Sequence, residues 1–421
     1  MKLNVLLLTG RFLLSLSMTS AIIITICALL LIAYIFDLTS SKTRIPSVIL
    51  LLLLGWGVRQ LAVALHINIP DLSQLLPIFG TIGLILIVLE GSLELELNKS
   101  KMRIISKSFI AALLPILFMS FLLSFAFQYF QTGLALRDAL TNAVPFCVIS
   151  SAIAIPSVKY LSAANREFIT YESSLSDIFG VIFFNFVALT ELNKSHTALE
   201  SGLQLLIMIG VSFFATILLA FLLSKIDHHI KFVPIVLLIL LIYAIAKLYH
   251  LPALIFILIF GLFLGNLDEL KKFRWINKLK PDELNVEVHK FKELITEGTF
   301  MVRTVFFLLF GYLIETAEIL NSDNFLWAAG IVAVVLIIRA IQFKVFKIPM
   351  FPMLFIAPRG LINILLFLSI VPAQQIPLVN KSLMLQVVLL SAVVMMIGLM
   401  ATGKNKLTAT EETKSDEPDP L

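Results

Sequence analysis

The chain has 421 residues, of which 59% are hydrophobic and 14% charged, with a net charge of +5. Soluble domains carry about 25% charged residues, and a mean hydropathy of +1.00 is more apolar side chain than a core of this length can bury. A water-soluble enzyme or binding module is therefore excluded, and lipid is the solvent for most of the surface. The two cysteines, Cys27 and Cys147, sit in apolar runs and read as small core residues, not as a disulfide framework. No Cys/His metal cluster, phosphate-binding glycine loop or nucleic-acid signature is present, so no cofactor is expected. The absence of Ser/His, HExxH or paired-aspartate arrangements argues against an intramembrane enzyme.

A spanning helix needs about 20 apolar residues. In chain order the runs fall near 13–36, 44–66, 73–97, 103–130, 136–161, 167–190, 202–225, 231–249, 251–267, 295–320, 324–347, 349–371 and 381–402, thirteen in all. Residues 1–12 are also apolar and read as an extra N-terminal helix or a signal anchor, with no small-residue site for cleavage of a signal peptide. Cytoplasmic loops retain Lys and Arg. With the N-terminus outside, thirteen alternations place twenty-two of the 32 basic residues inside, among them Lys99, Lys101, Arg103 and Lys107 and the cluster from Lys271 to Lys292, and six outside. One missed span would scramble this pattern, so the positive charge is topological and the orientation is N-out, C-in.

One loop is long. Residues 268–294 place apolar side chains at helical spacing among charges, which predicts an amphipathic helix on the cytoplasmic surface. The tail at 403–421 is polar and acidic and is expected to be disordered.

An ionisable side chain at the bilayer centre costs at least about 2.5–3.5 kcal/mol, so those inside spans are functional suspects. They are Arg59, Glu90, Glu172, Asp177, Arg303, Arg339 and Arg359. Glu172 and Asp177 are five apart and point to faces about 140° apart, whereas Ser173 and Asp177 share one face. A carboxylate with a hydroxyl beside it is half of a hard-oxygen site for a small cation, and a carboxylate out of water takes up a proton readily. One group that holds either a proton or a cation is the least machinery an exchanger needs; the competing reading is a helix-packing aspartate. Ser150 and Ser151 lie between Pro145 and Pro156, and the late run holds Pro349, Pro352, Pro358 and Gly360. Two proline-interrupted spans, one in each half, mark an inverted repeat with its site between them. Arg303 either faces that site or snorkels to the cytoplasmic surface. Arg59 and Glu90 lie near span ends and read as solvated or interfacial, and His66, His228, His229 and His250 as loop histidines.

These residues resemble a known family. ESSLSD at 172–177 is similar to the ESLLND segment of sodium/proton exchangers in the monovalent cation:proton antiporter superfamily, IIRAI around Arg339 and APRGL at 357–361 to its two arginine-bearing spans, and VLEGSLELEL at 88–97 to its third-span ending. The resemblance implies an all-α polytopic protein with about thirteen transmembrane helices and inverted repeats whose two broken helices cross at the ion site. Asp177 would carry the ion or proton as the site of a monovalent cation, with Ser173, Ser150, Ser151 and Ser176 around it. Glu172 would pair with Arg339, and Arg359, with Arg303, would compensate the broken helices. It further implies a bacterial inner-membrane homodimer in lipid, with residues 1–100 and 196–320 forming the dimerisation domain and 101–195 and 321–402 the moving core. Two departures matter: the family's Asn is Ser176 here, and its Thr-Asp is Ser150-Ser151, closer to potassium-efflux members. A single carboxylate favours one-for-one, electroneutral exchange of Na⁺ or K⁺ for H⁺. The alternatives are a potassium-efflux antiporter of the same fold and a membrane sensor or scaffold that transports nothing.

Overall fold

In a computed structural model the described residues are 20, 23–40, 43, 45–67, 71–158, 161–189, 198–225, 232–248, 253–271 and 281–415. They are helical throughout, with no strand among them. The helices are α1 (Ile23–Ser40), then α2 (Ser47–Ala64), α3 (Leu75–Glu94), α4 (Met102–Phe130), α5 (Leu136–Ala143), α6 (Ser151–Ser157), α7 (Ala163–Leu189), α8 (Ala198–Lys225), α9 (Phe232–Leu248), α10 (Ala253–Gly265), α11 (Leu267–Leu270), α12 (Pro281–Tyr312), α13 (Thr316–Ile319), α14 (Ser322–Val345), α15 (Leu361–Leu368) and α16 (Lys381–Ser415). Among the described residues, eight segments are long and apolar enough to cross a membrane by length and composition alone. Every one of the thirteen expected runs contains helix, and two of them are broken.

The helices are inside-out relative to a soluble bundle. On α4 the buried face carries Ser108, Ala111, Ala112, Ser120 and Ser124, while Phe118, Phe121, Phe125 and Tyr129 point outward. Lipid solvates the large apolar groups, and small residues let backbones approach. The α2–α12 crossing shows the rule: a Cβ at Gly55 or Gly311 would run into the partner helix's backbone.

Packing falls into two groups. Helix α12 lies against α2 and α3, and α10 against α3 and α8; separately, α4 packs on α5 and α7, α6 on α7, and α14 on α16. Contacts of α3 with α7 and α15 form the seam. The connection from α3 to α4 is pinned from both sides: Asn266 donates to the Leu95 carbonyl at 2.8 Å, and Lys101 bridges Glu96 at 2.7 Å and Glu167 at 3.0 Å. Those two hydrogen bonds hold the Lys101 ammonium above the ordinary lysine range.

Four local expectations change. The first helix runs on to Ser40, past the expected end at residue 36, while its expected start near residue 13 lies outside the described residues. Cys27 on it is exposed, unlike the buried Cys147. Residues 281–294 do not form a separate surface helix. Pro281 opens α12 with Asp282 and Glu283 in its first turn, the arrangement a helix N-terminus favours. Leu284, Val288, Phe291 and Ile295 then form one buried stripe that runs unbroken into the spanning part. Likewise α16 continues to Ser415 through residues expected to be disordered, since no proline interrupts it before Pro418. Of the loop histidines, His66 is exposed; the other three lie outside the described residues.

Candidate functional site

The site is built where two helices fail to continue. In the first, α5 passes into a tight turn at Val144–Phe146, the chain runs extended, and α6 starts at Ser151. In the second, the turn at Met353–Phe355 precedes an extended stretch that ends at Gly360, where α15 begins. Prolines set the breaks, since Pro145, Pro156 and Pro358 have no N–H to donate. The two extended stretches cross, and the Ser150 N–H donates to the Pro358 carbonyl at 2.9 Å. Gly360 is required there because a methyl group would meet Ser150 Oγ at 2.6 Å and Ile153 Cδ1 at 2.7 Å. The Gly360→Ala variant is therefore expected to lose about 1–3 kcal/mol of stability from overpacking and to lose transport, as thermal unfolding and flux assays on the same preparation will show.

A broken helix leaves its last carbonyls without partners. Here Arg359 and Asn363 take them in sequence. Asn363 Nδ2 donates to the Pro145 and Val148 carbonyls, both at 2.8 Å. Arg359 Nε donates to the Phe146 carbonyl at 2.9 Å, and Nη2 to that of Cys147 at a looser 3.5 Å. Arg359 Nη1 also donates to the Ala357 carbonyl at 2.6 Å, and Asn363 Oδ1 accepts the Gly360 N–H at 2.7 Å. The guanidinium thus stands at the negative end of one half-helix, where a cation is stabilised. Sequence reasoning missed Asn363, although an amide in the apolar run LINILLF was a signal of the same kind as the buried charges.

Asp177, on α7, is 3% exposed. Its Oδ2 accepts the Ser151 N–H at 3.1 Å and the Ser151 hydroxyl, so the carboxylate caps the positive end of α6. Its Oδ1 is buried without a hydrogen-bond partner, as is Ser150 Oγ. Buried oxygens with unused capacity are uncommon, and these belong to a carboxylate and a hydroxyl, the hard donors that suit a small cation. Ser176 Oγ accepts the Ile149 N–H at 2.9 Å and so fixes the unwound backbone. Ser173 Oγ donates back to the Ile169 carbonyl at 2.8 Å, which leaves its lone pairs available.

Glu172 and Arg339 form a bidentate pair at 2.7 and 2.8 Å, with side chains 1% and 3% exposed. Arg339 Nε adds a bond to the Met353 carbonyl at 3.1 Å, and its guanidinium lies 4.5 Å from the Phe343 ring. The pair ties α7 to α14 and to the second break. Arg59 lies at the surface, bound to the Ile314 carbonyl at 3.0 Å and near Glu315.

A cavity of about 520 Å³ leads to this crossing. Exposed Thr296 and Glu297 stand at its mouth, and buried Ser151 lies at its floor. Arg303 lines it and donates to the Ala152 carbonyl at 3.2 Å; this is the carbonyl that Pro156 cannot satisfy within α6. Glu90, read from sequence as solvated or interfacial, lines the cavity instead, with Thr296, Thr299 and Arg303 nearby. Near the start of α5 Arg137 donates to the Ala188 carbonyl at 2.6 Å, and near its end Asn142 donates to that of Gln374 at 2.7 Å, drawing α5, α7 and the α15–α16 connection together.

Paired broken helices crossing at a buried carboxylate, below a cavity that carries charged side chains on its wall, in an otherwise lipid-facing bundle, define a secondary transporter for a small ion. A family profile described as "Sodium/hydrogen exchanger, transmembrane" matches residues 27–403. The chain belongs to the sodium/hydrogen exchanger family and is a multi-pass membrane antiporter of Na⁺ and protons. Its fold is similar to that of the sodium/proton antiporter MjNhaP1 from Methanocaldococcus jannaschii at pH 8, with a TM-score of 0.66 at 18% identity over 89% of this chain and 98% of that one. An electron-microscopy structure of the same antiporter matches with a TM-score of 0.62 at 16% identity, over 94% and 99% of the two chains. No curated protein sequence matches the chain.

Proposed function

We propose that Asp177 carries one Na⁺ or one proton at a time, so that the exchange is one for one and electroneutral. The observation that supports this is the buried Asp177 Oδ1, unpartnered beside the hydroxyl oxygen of Ser150 in the unwound crossing. Ser150 supplies an oxygen to the ion, and so does Ser173 through its lone pairs. Ser151 steadies Oδ2 and Ser176 holds the backbone that presents the site. Among the described side chains around Asp177 no second carboxylate hydrogen-bonds to the crossing, which leaves one group to titrate. Glu172 and Arg339 have a structural role, and Arg359 and Asn363 hold the broken ends.

Transport then follows alternating access. The group formed by α4 to α7 and α14 to α16 is the moving core, and α1 to α3, α8 to α10 and α12 form the scaffold, which also dimerises. The cavity mouth at Thr296 and Glu297 makes this conformation the one open on the face bearing the charges of residues 282–293, cytoplasmic in an N-out, C-in orientation. Potassium is the less favoured cargo: Ser150-Ser151 suggests it, while family membership points to Na⁺. Purified protein in proteoliposomes with a pH dye distinguishes them. Na⁺, and Li⁺ more weakly or equally, are expected to drive proton movement across a range of pH, without acceleration when an ionophore clamps the voltage. A response to K⁺ alone would replace Na⁺ as the cargo, and no ion-driven proton movement would favour a sensor or scaffold.

A further inference from the structure

We propose that Arg303 is a latch between the two helix groups and that Glu90 is its alternative partner, a pairing that sets how readily the cavity opens and closes. The proposal rests on the alternating-access reading above. Arg303 belongs to α12, which packs against α2 and α3, whereas Ala152 belongs to α6, which packs on α7. The 3.2 Å bond from Arg303 to the Ala152 carbonyl therefore crosses between the groups. It exists because Pro156 leaves that carbonyl free, and Ala152 directly follows Ser151, whose N–H and hydroxyl hold Asp177. Any displacement of α6 relative to α12 stretches this bond.

A guanidinium released into a partly apolar cavity needs another acceptor. Glu90 supplies it from the same side of the seam. It lies on α3, lines the same cavity and is close enough for the Arg303 charge to act on it. In this conformation the Thr296 and Thr299 hydroxyls are beside the Glu90 carboxylate, while Arg303 reaches toward the core. The other ionisable groups on the cavity wall are Tyr34, Asp37, Glu94 and Glu297. Two acceptors for one donor, one on each side of a sliding seam, make a bistable element of the kind that switches a packed interface. Glu90 and Arg303 are positioning residues: they act on the population of conformations and do not touch the ion.

The test is Na⁺/H⁺ flux with labelling of a cysteine placed on the cavity wall, in an Ile155→Cys, Cys27→Ser chain. Glu90→Gln removes the charge that competes for Arg303. It is expected to raise the labelling rate by about tenfold, because a charge-assisted bond shifts a two-state balance by that order, and to lower Vmax with KM changed less than about twofold. Arg303→Gln removes the donor from both acceptors and is expected to change labelling less than Glu90→Gln does, with Arg303→Lys closer to wild type, and adding Glu90→Gln to Arg303→Gln is expected to change labelling no further. Unchanged labelling in Glu90→Gln, or a large rise in KM at constant Vmax, would overturn the latch; the second result would make Glu90 part of the cation path. Asp177→Asn in the same background separates the two readings. If it transports, the assignment of Asp177 fails; if it is inactive while labelling ignores Glu90→Gln, the latch alone fails.

Discussion

Asp177→Asn abolishes Na⁺-driven proton movement in everted vesicles and leaves the protein folded in the membrane. The two parts of this expectation have separate causes. Asparagine is nearly isosteric with aspartate, and its amide oxygen can still accept the Ser151 N–H and hydroxyl that Oδ2 accepts now, so the contact between α6 and α7 survives. What is lost is the charge. Without it no proton is exchanged, and a cation entering the crossing meets only neutral oxygens. Moving a cation from water to such a place costs several kcal/mol, and each 1.36 kcal/mol is a factor of ten, so transport falls below detection. Normal exchange by this variant would remove Asp177 from the mechanism.

Glu172→Ala and Arg339→Ala each lower the thermal midpoint more than any other single change considered. Both partners are almost fully buried and bound through two short bonds. Removing one leaves the other as an uncompensated charge, at a cost of about 3–5 kcal/mol. Replacing both by methionine fills the space without a buried charge and is expected to cost less than either single change, since a buried pair adds little over well-packed apolar groups. Thermal unfolding of the three variants in detergent checks the order. Single variants that are fully stable yet inactive would instead assign the pair to transport.

Much of this was legible in the sequence because membrane insertion writes its constraints locally. A run of about 20 apolar residues announces a helix, and a charge within it announces a partner or a cavity. Glu172, Asp177, Arg339 and Arg359 stood out for that reason, and the proline pairs located both breaks. Relations between distant segments were not legible. That Arg359 and Asn363 share four consecutive carbonyls from Pro145 to Val148, or that Glu90 and Arg303 face one cavity, depends on tertiary placement that no local pattern encodes. The continuity of α12 was hidden for another reason. Its charged outer face over 281–294 resembles a surface loop by composition, while the stripe from Leu284 to Ile295 keeps it in register with the spanning turns.

The central claim is that one carboxylate holds a Na⁺ or a proton and never both. Proton release on Na⁺ binding tests it most directly, read with a pH dye in weakly buffered detergent solution alongside calorimetric Na⁺ binding. The account predicts that, at a pH where the ion-free carboxyl is protonated, wild-type protein releases protons one for one with the Na⁺ it binds and that Asp177→Asn does neither. Sodium binding without proton release, or release that persists in Asp177→Asn, would contradict it.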